Sequence, residues 1–308
     1  MKVLVTGASG FVGLALCRAL VAQGMHPIRV SRSVGQQGCL AMGEIDEATN
    51  WSPVLQQCAL VVHLAARVHV MNDTAQDPLT AYRRTNVAGT LNLARQSAAA
   101  GVRRFIFIST VKVNGESTPE GYPFGADDVP APQDPYAISK LEAEQGLRQL
   151  AAQSEMQVVI IRPPLVYGPG VGANFAALLR AVRRGWPLPF GAIQNRRSLV
   201  ALDNLVDLIK SCVSHPAAAN QIFMASDGQD LSTAELVRGI AQALGVPARL
   251  PPVPVWALKA AGSLLGKRDV VSRLCDNLQV DISKTRDLLG WTPPVSVHEG
   301  LRRAVMKI

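Results

Sequence analysis

Short, nearly unbroken apolar runs recur at Val3–Thr6, Ile28–Val30, Leu60–Leu64, Phe105–Ser109 and Val158–Arg162. Longer stretches with helical spacing of apolar positions separate most of them, notably Val12–Gln23, Thr80–Ala100 and Pro135–Ala152. Brief apolar runs suit strands buried on both faces, and strands that alternate with helices long enough to cross over pair in parallel. The pattern therefore predicts an α/β protein with a doubly wound parallel sheet, whose ligands gather at the carboxyl ends of the strands.

Beyond Arg162 the pattern changes. Pro163, Pro164, Gly168, Pro169, Gly170 and Gly172 predict an irregular loop. Helices are expected near Phe175–Arg184, Asn204–Ser214, Thr233–Leu244 and Val255–Leu265, with a polar turn at Gln194-Asn195-Arg196-Arg197. We divide the chain into a sheet domain over 1–165 and a smaller C-terminal lobe over 166–308, with Ile222–Ala225 as a candidate strand returning to the sheet.

Two local motifs carry chemistry. The segment Val3 to Gly13 reads as strand, glycine turn and helix start. Gly7 permits the tight exit from the strand, Gly10 lets backbone approach a pyrophosphate, and Gly13 allows close packing of helix on sheet. With Val12 opening the helix and Phe11 just before it, free N–H groups there face an anion, which is the signature of a dinucleotide site. Far downstream, Tyr136 and Lys140 stand four residues apart and share one helical face, behind an N-cap at Asp134 and Pro135 as first helical residue. A phenol of ordinary pKa ~10 is a poor base at neutral pH, but a nearby ammonium and a cationic nicotinamide both favour phenolate. Lys140 is thus the expected depressor and Tyr136 the proton carrier.

Composition narrows the class. With 308 residues, 48% hydrophobic and 18% charged, the chain can bury a large core. The net charge of +8 is spread along the chain without long basic runs, so a multiply anionic small ligand explains it as well as nucleic acid, and no nucleic-acid partner is expected. Cys17, Cys39, Cys58, Cys212 and Cys275 are scattered, which suits reduced thiols in a cytoplasmic protein, and no metal site is expected. The apolar start is too short for a signal peptide, and Val253–Leu265 falls short of a transmembrane segment and reads as a packed amphipathic helix, with peripheral membrane contact as the other reading.

Seven motifs in order resemble the extended short-chain dehydrogenase/reductase family, of NAD-dependent epimerase/dehydratase type. They are the glycine-rich start, His63-Leu64-Ala65-Ala66, Asn86-Val87-Ala88-Gly89-Thr90, Ser109-Thr110, Tyr136-x-x-x-Lys140, Arg162-Pro163-x-x-Val166-Tyr167-Gly168-Pro169-Gly170 and Leu289-Gly290-Trp291-x-Pro293. The resemblance implies a Rossmann-like domain, a substrate-binding lobe, a UDP-sugar substrate and the option of a homodimer. It points to Thr110 as third catalytic hydroxyl beside Tyr136 and Lys140. Val111-Lys112 replaces the acidic pair of the family's dehydratases, which argues against dehydration, and Asn114 replaces a usual Tyr.

The resemblance adds Glu44, Ile45, Leu64, Ala65, Ala66, Asn86, Pro163 and Val166 to the cofactor-binding set, with Lys140 shared between cofactor and chemistry. Cofactor choice is read after the second strand, where an acid would bind the ribose hydroxyls of NAD. Ser31-Arg32-Ser33 has no acid, so Ser31 and Arg32 suit a 2′-phosphate, favouring NADP(H) over NAD(H). For substrate, the resemblance designates Asn174, Arg196, Arg273 and Lys112, with Arg197 as a substitute for Arg196. The runs His63–Met71 and Lys112–Glu116 resemble a branch that reduces the C4 ketone of UDP-4-keto-6-deoxy-N-acetylhexosamines for bacterial surface polysaccharide, such as lipopolysaccharide O-antigen. That reduction is the expected reaction. A UDP-sugar 4-epimerase with tightly held NAD is the alternative.

Overall fold

A computed structural model describes residues 1–33, 38–68 and 77–306, so the end of the His63–Met71 run lies outside the described residues. In chain order the strands are β1 (Lys2–Thr6), β2 (His26–Ser31), β3 (Leu40–Ala41), β4 (Cys58–His63), β5 (Arg104–Ile108), β6 (Gln157–Arg162), β7 (Leu165–Tyr167), β8 (Leu199–Ala201) and β9 (Ile222–Met224). The helices are α1 (Phe11–Ala22), α2 (Ser52–Leu55), α3 (Pro78–Arg83), α4 (Thr90–Ala99), α5 (Pro135–Ala152), α6 (Ala173–Arg183), α7 (Leu202–Ser214), α8 (Thr233–Leu244), α9 (Val255–Leu264), α10 (Arg268–Cys275), α11 (Ser283–Leu289) and α12 (Val297–Val305).

The main sheet runs β3-β2-β1-β4-β5-β6-β9, and every pair in it is parallel. In register, Leu4 lies between Ile28 and Val61, and Phe105 between Val61 and Val158. Strand order reverses between β1 and β4, which opens a crevice at their carboxyl ends.

Alternation along each strand feeds two cores. Val3, Val5, Leu60, Val62, Ile106 and Ile161 pack with α1 and α7 on one face. Leu4, Val61, Phe105, Phe107, Val158 and Ile160 pack with Trp51, Leu93, Ala143 and Leu147 on the other. Burial on both faces explains why the strands read as continuous apolar runs. Although α7 and β9 follow residue 165, they complete this layer, whereas the lobe has its own core around Tyr167, Phe175, Leu179, Val237, Ile240 and Leu301. The strands β7 and β8 form a separate parallel pair beside it.

The stretch expected as one helix over Thr80–Ala100 is interrupted. A π-helical segment, Arg84–Gly89, separates α3 from α4. Its physical cause lies in side chains that periodicity does not weigh: Asn86 is drawn to two neighbouring segments, and a Cβ on Gly89 would stand 2.7 Å from Ile45 Cγ2.

Candidate active site

The glycine turn stands at the point where strand order reverses. Gly7 has φ +64°, and a Cβ there would lie 2.9 Å from the Ala65 nitrogen, so β1 and β4 exit against each other. A Cβ on Gly13 would come within 2.2 Å of the Gly7 carbonyl oxygen, which only hydrogen tolerates. Gly10 caps α1 without a side chain, leaving the helix start open toward the crevice. This cradle fits the diphosphate of a dinucleotide.

Around it, Phe11, Val12, Leu64, Ala65 and Ala66 are half-buried. Ser31 is buried and its hydroxyl donates to the Ser33 carbonyl at 3.0 Å, while Arg32 is exposed at the end of β2. Ile45 packs on Gly89, and its neighbour Glu44 is exposed. Pro163 accepts from the Val111 amide at 3.0 Å, and Val166 lies in β7.

The trio expected to be catalytic comes from two elements. Thr110 follows β5 and its hydroxyl oxygen accepts from the Lys112 amide at 3.3 Å, capping a short turn over Val111–Val113. Asp134 caps α5 by accepting from the Ala137 amide at 2.7 Å, so Tyr136 lies in the first turn and Lys140 one turn later, at the helix bounds the sequence predicts. Tyr136 meets Tyr82 edge-on, with centroids 6.1 Å apart. Lys140 is buried, its ammonium 3.9 Å above the Phe107 ring.

Electrostatics here differ from the sequence-based expectation. Burial raises the Tyr136 phenol above its ordinary value, and Asp134 and Tyr82 push the same way. Burial lowers Lys140 to about 7, partly opposed by Glu144. The protein by itself therefore holds Tyr136 protonated, so lowering its pKa falls to the positive charge of an oxidised nicotinamide.

Three polar networks brace these groups. Asn86 donates to Ser139 Oγ and the Arg67 carbonyl, both at 3.0 Å, and accepts from the Arg67 amide at 2.8 Å. His63 contacts Thr6 at 2.6 Å and Thr90 at 3.0 Å, and burial followed by Lys140 lowers its pKa to about 3, so it is a neutral ring. Arg162 donates to both oxygens of Glu144, at 3.0 and 2.6 Å, and to Asn114 Oδ1 at 3.0 Å. Asn114, Glu144, Thr6 and Thr90 were missed as site residues in the sequence. The signals were the place of Thr90 in the Asn86–Thr90 motif and the departure at Asn114, whose amide also donates to the Gly125 carbonyl at 3.0 Å.

The substrate candidates separate. Arg197 lies in extended backbone, half-buried, and donates to the Asp276 carbonyl at 2.9 Å. Burial lowers its pKa, Asp276 and Glu116 oppose that, and Arg273 reinforces it, so these charges face one another. Arg196, its neighbour, points the other way into a cavity of about 470 Å³ lined by Gln194, Asp230, Glu235 and Arg238. Arg273 is exposed on α10 and Asn174 is exposed in the first turn of α6. Lys112, expected free for the sugar, donates to Asp134 Oδ2 at 2.6 Å and Glu116 Oε1 at 2.8 Å. Burial opposes its charge, but these two carboxylates outweigh that and raise its pKa.

Known proteins are similar to this chain over nearly its full length. A UDP-glucose 4-epimerase of Vibrio cholerae is 52% identical over 307 residues, covering 98% of this chain and 94% of its own. A GDP-6-deoxy-D-mannose reductase of Pseudomonas aeruginosa is 26% identical, covering 98% and 95%. The solved structure of MoeE5 with UDP-glucuronic acid and NAD superimposes with a TM-score of 0.79 at 26% identity, covering 98% of this chain and 97% of that one. Residues 3–225 match a single family, so the chain belongs to the NAD dependent epimerase/dehydratase family.

Proposed function

We propose that the protein epimerises a UDP-hexose at C4, with NAD held at the crevice between β1 and β4. The observation that carries this reading is the 52% identity to a UDP-glucose 4-epimerase, on a chain that keeps Thr110, Tyr136 and Lys140. It reverses the order of the two reactions expected from the sequence. Bound NAD would supply the acceptor and donor of the hydride. Tyr136 takes the C4 hydroxyl proton and, once the ketone has turned over, returns it to the same oxygen, the inversion lying in the face of C4 that would receive the hydride. Thr110 orients that hydroxyl, Lys140 helps to hold the cofactor, and an oxidised nicotinamide would supply the positive charge that favours phenolate.

Arg197 and Arg273 bind the diphosphate, because a guanidinium fork matches phosphate oxygens and the two guanidiniums lie close enough for Arg273 to act on the charge of Arg197. Arg196 lines the cavity with Asp230 and Glu235 and takes no part in holding the diphosphate. A homodimer and a cytoplasmic setting belong to the same reading, supported by resemblance and by the free cysteines. Among the described residues no helix is long and apolar enough to cross a membrane.

One observation favours NADPH-dependent reduction of a UDP-4-keto sugar as the second reading: Ser31-Arg32-Ser33 closes β2 without a carboxylate. Product analysis separates the two. Incubation with UDP-glucose should yield UDP-galactose without net cofactor consumption. Consumption of NADPH in step with a 4-keto substrate, and no interconversion of UDP-glucose, would establish the reductase instead.

A further inference from the structure

The helical hairpin formed by α9 and α10 does not pack as the sequence led us to expect. In α9 only Gly262 is buried, and in α10 no residue is. A Cβ on Gly262 would lie 2.5 Å from Val271 Cγ2, so the two helices close on each other. Anchorage to the lobe falls at the hairpin's end, where the Leu274 carbonyl accepts from Asn195 and Thr233 and the Asp276 carbonyl accepts from Arg197.

The free face is apolar. Trp256, Ala260 and Leu264 repeat at i, i+4 and i+8, hence on one stripe, and all three are exposed. Trp256 is 74% exposed, Leu264 88%, Leu265 71% and Val270 50%. Single exposed apolar residues are ordinary, but four within fifteen positions on one projecting element mark an interaction surface. Lys267 and Arg268 follow the apolar tip directly, both exposed, against one exposed acid, Asp269.

We infer that this hairpin docks the protein on an anionic bilayer surface. The leucines and Val270 enter the acyl boundary, Trp256 takes the position an amphipathic ring prefers at the headgroups, and the two cations pair with lipid phosphates. Charge complementarity commits the face to this occupant: a second copy would bring the same two cations against themselves, and the whole chain carries +8.

Full-length protein is sedimented with vesicles of phosphatidylcholine, and with vesicles in which phosphatidylglycerol replaces part of it. Binding to the anionic vesicles is expected, with a blue shift of tryptophan emission that Trp256→Phe removes. Leu264→Glu with Leu265→Glu should abolish binding, and Lys267→Ala with Arg268→Ala should weaken it about 25-fold, about fivefold for each cation. Turnover of a soluble UDP-sugar should be unchanged in all of these variants. Absence of binding to anionic vesicles, or binding untouched by the two glutamates, would overturn the inference. So would a concentration-dependent dimer that those glutamates dissolve, since the face would then cover a second copy.

Discussion

The Lys112 ammonium lies 2.6 Å from Asp134 Oδ2, and the other oxygen of that carboxylate caps the helix bearing Tyr136. Lys112 thereby offsets the negative charge that raises the Tyr136 phenol. Lys112→Met should remove that offset and move the phenol's titration to higher pH, whereas Asp134→Asn, which keeps the cap, should move it to lower pH. The alkaline and acidic displacements of the kcat–pH profile are the measurement. Profiles that coincide with wild type would return Lys112 to a structural tie.

Lys140 is expected to reveal its burial through stability. Its folded pKa of about 7 lies below the unfolded value, so between pH 7 and the unfolded pKa near ~10.4 the unfolded chain binds more protons and stability rises with pH. Lys140→Met removes this dependence. The variant should melt higher than wild type near pH 6, and the advantage should shrink steadily toward pH 10 while turnover is lost. Thermal unfolding across that range checks it, and a constant difference would contradict a buried, charge-penalised amine.

The Arg162–Glu144 pair is bidentate, and both side chains are almost fully buried. Glu144→Gln should cost about 3–5 kcal/mol, because it leaves a guanidinium without its counter-charge. It also removes the carboxylate that holds the Lys140 pKa up. Denaturant unfolding measures the first effect and a lowered Lys140 titration the second.

Arg197 and Arg196 offer a paired test. Arg197→Ala should raise the KM for a UDP-sugar by about tenfold to a hundredfold, the ~1.5–3 kcal/mol of hydrogen bonds to a charged group. Arg196→Ala, whose side chain enters the outer cavity, should change KM by less than about threefold, within the ±0.5 kcal/mol usual at surface sites. Equal effects would mean that the two guanidiniums share the diphosphate.

These residues also show what a sequence can express. Helix α5 was legible because Asp134, Pro135 and the apolar spacing state its start, and a four-residue separation alone places Tyr136 and Lys140 on one face. The alternating strands told the sheet's class, because burial on both faces leaves no polar period to misread. The choice between Arg196 and Arg197 was not legible: neighbours in extended backbone face opposite sides, so the answer turns on a one-residue phase that resemblance cannot fix. Nor was the behaviour of Tyr136 and Lys140, since desolvation depends on what a distant helix and strand bring against them, Tyr82 against the phenol and Phe107 against the ammonium. Asn114, Glu144 and Arg162 meet across 48 positions of chain, and only the fold makes them neighbours.

The π-helical segment between α3 and α4 acts as a rotational offset. Each residue of an α-helix turns the chain by about 100° and each residue of the wider π turn by less, so if Arg84–Gly89 took up ordinary winding at its present length, everything downstream would spin by about one residue's angle. Thr90 would leave His63, and Asn92 and Gln96 would lose the Thr49 carbonyl that both now reach. The wide turn therefore works as a slack of one residue: a change that tightens it at full length desynchronises the helix from the sheet it covers, whereas tightening together with the loss of one residue keeps the two in phase.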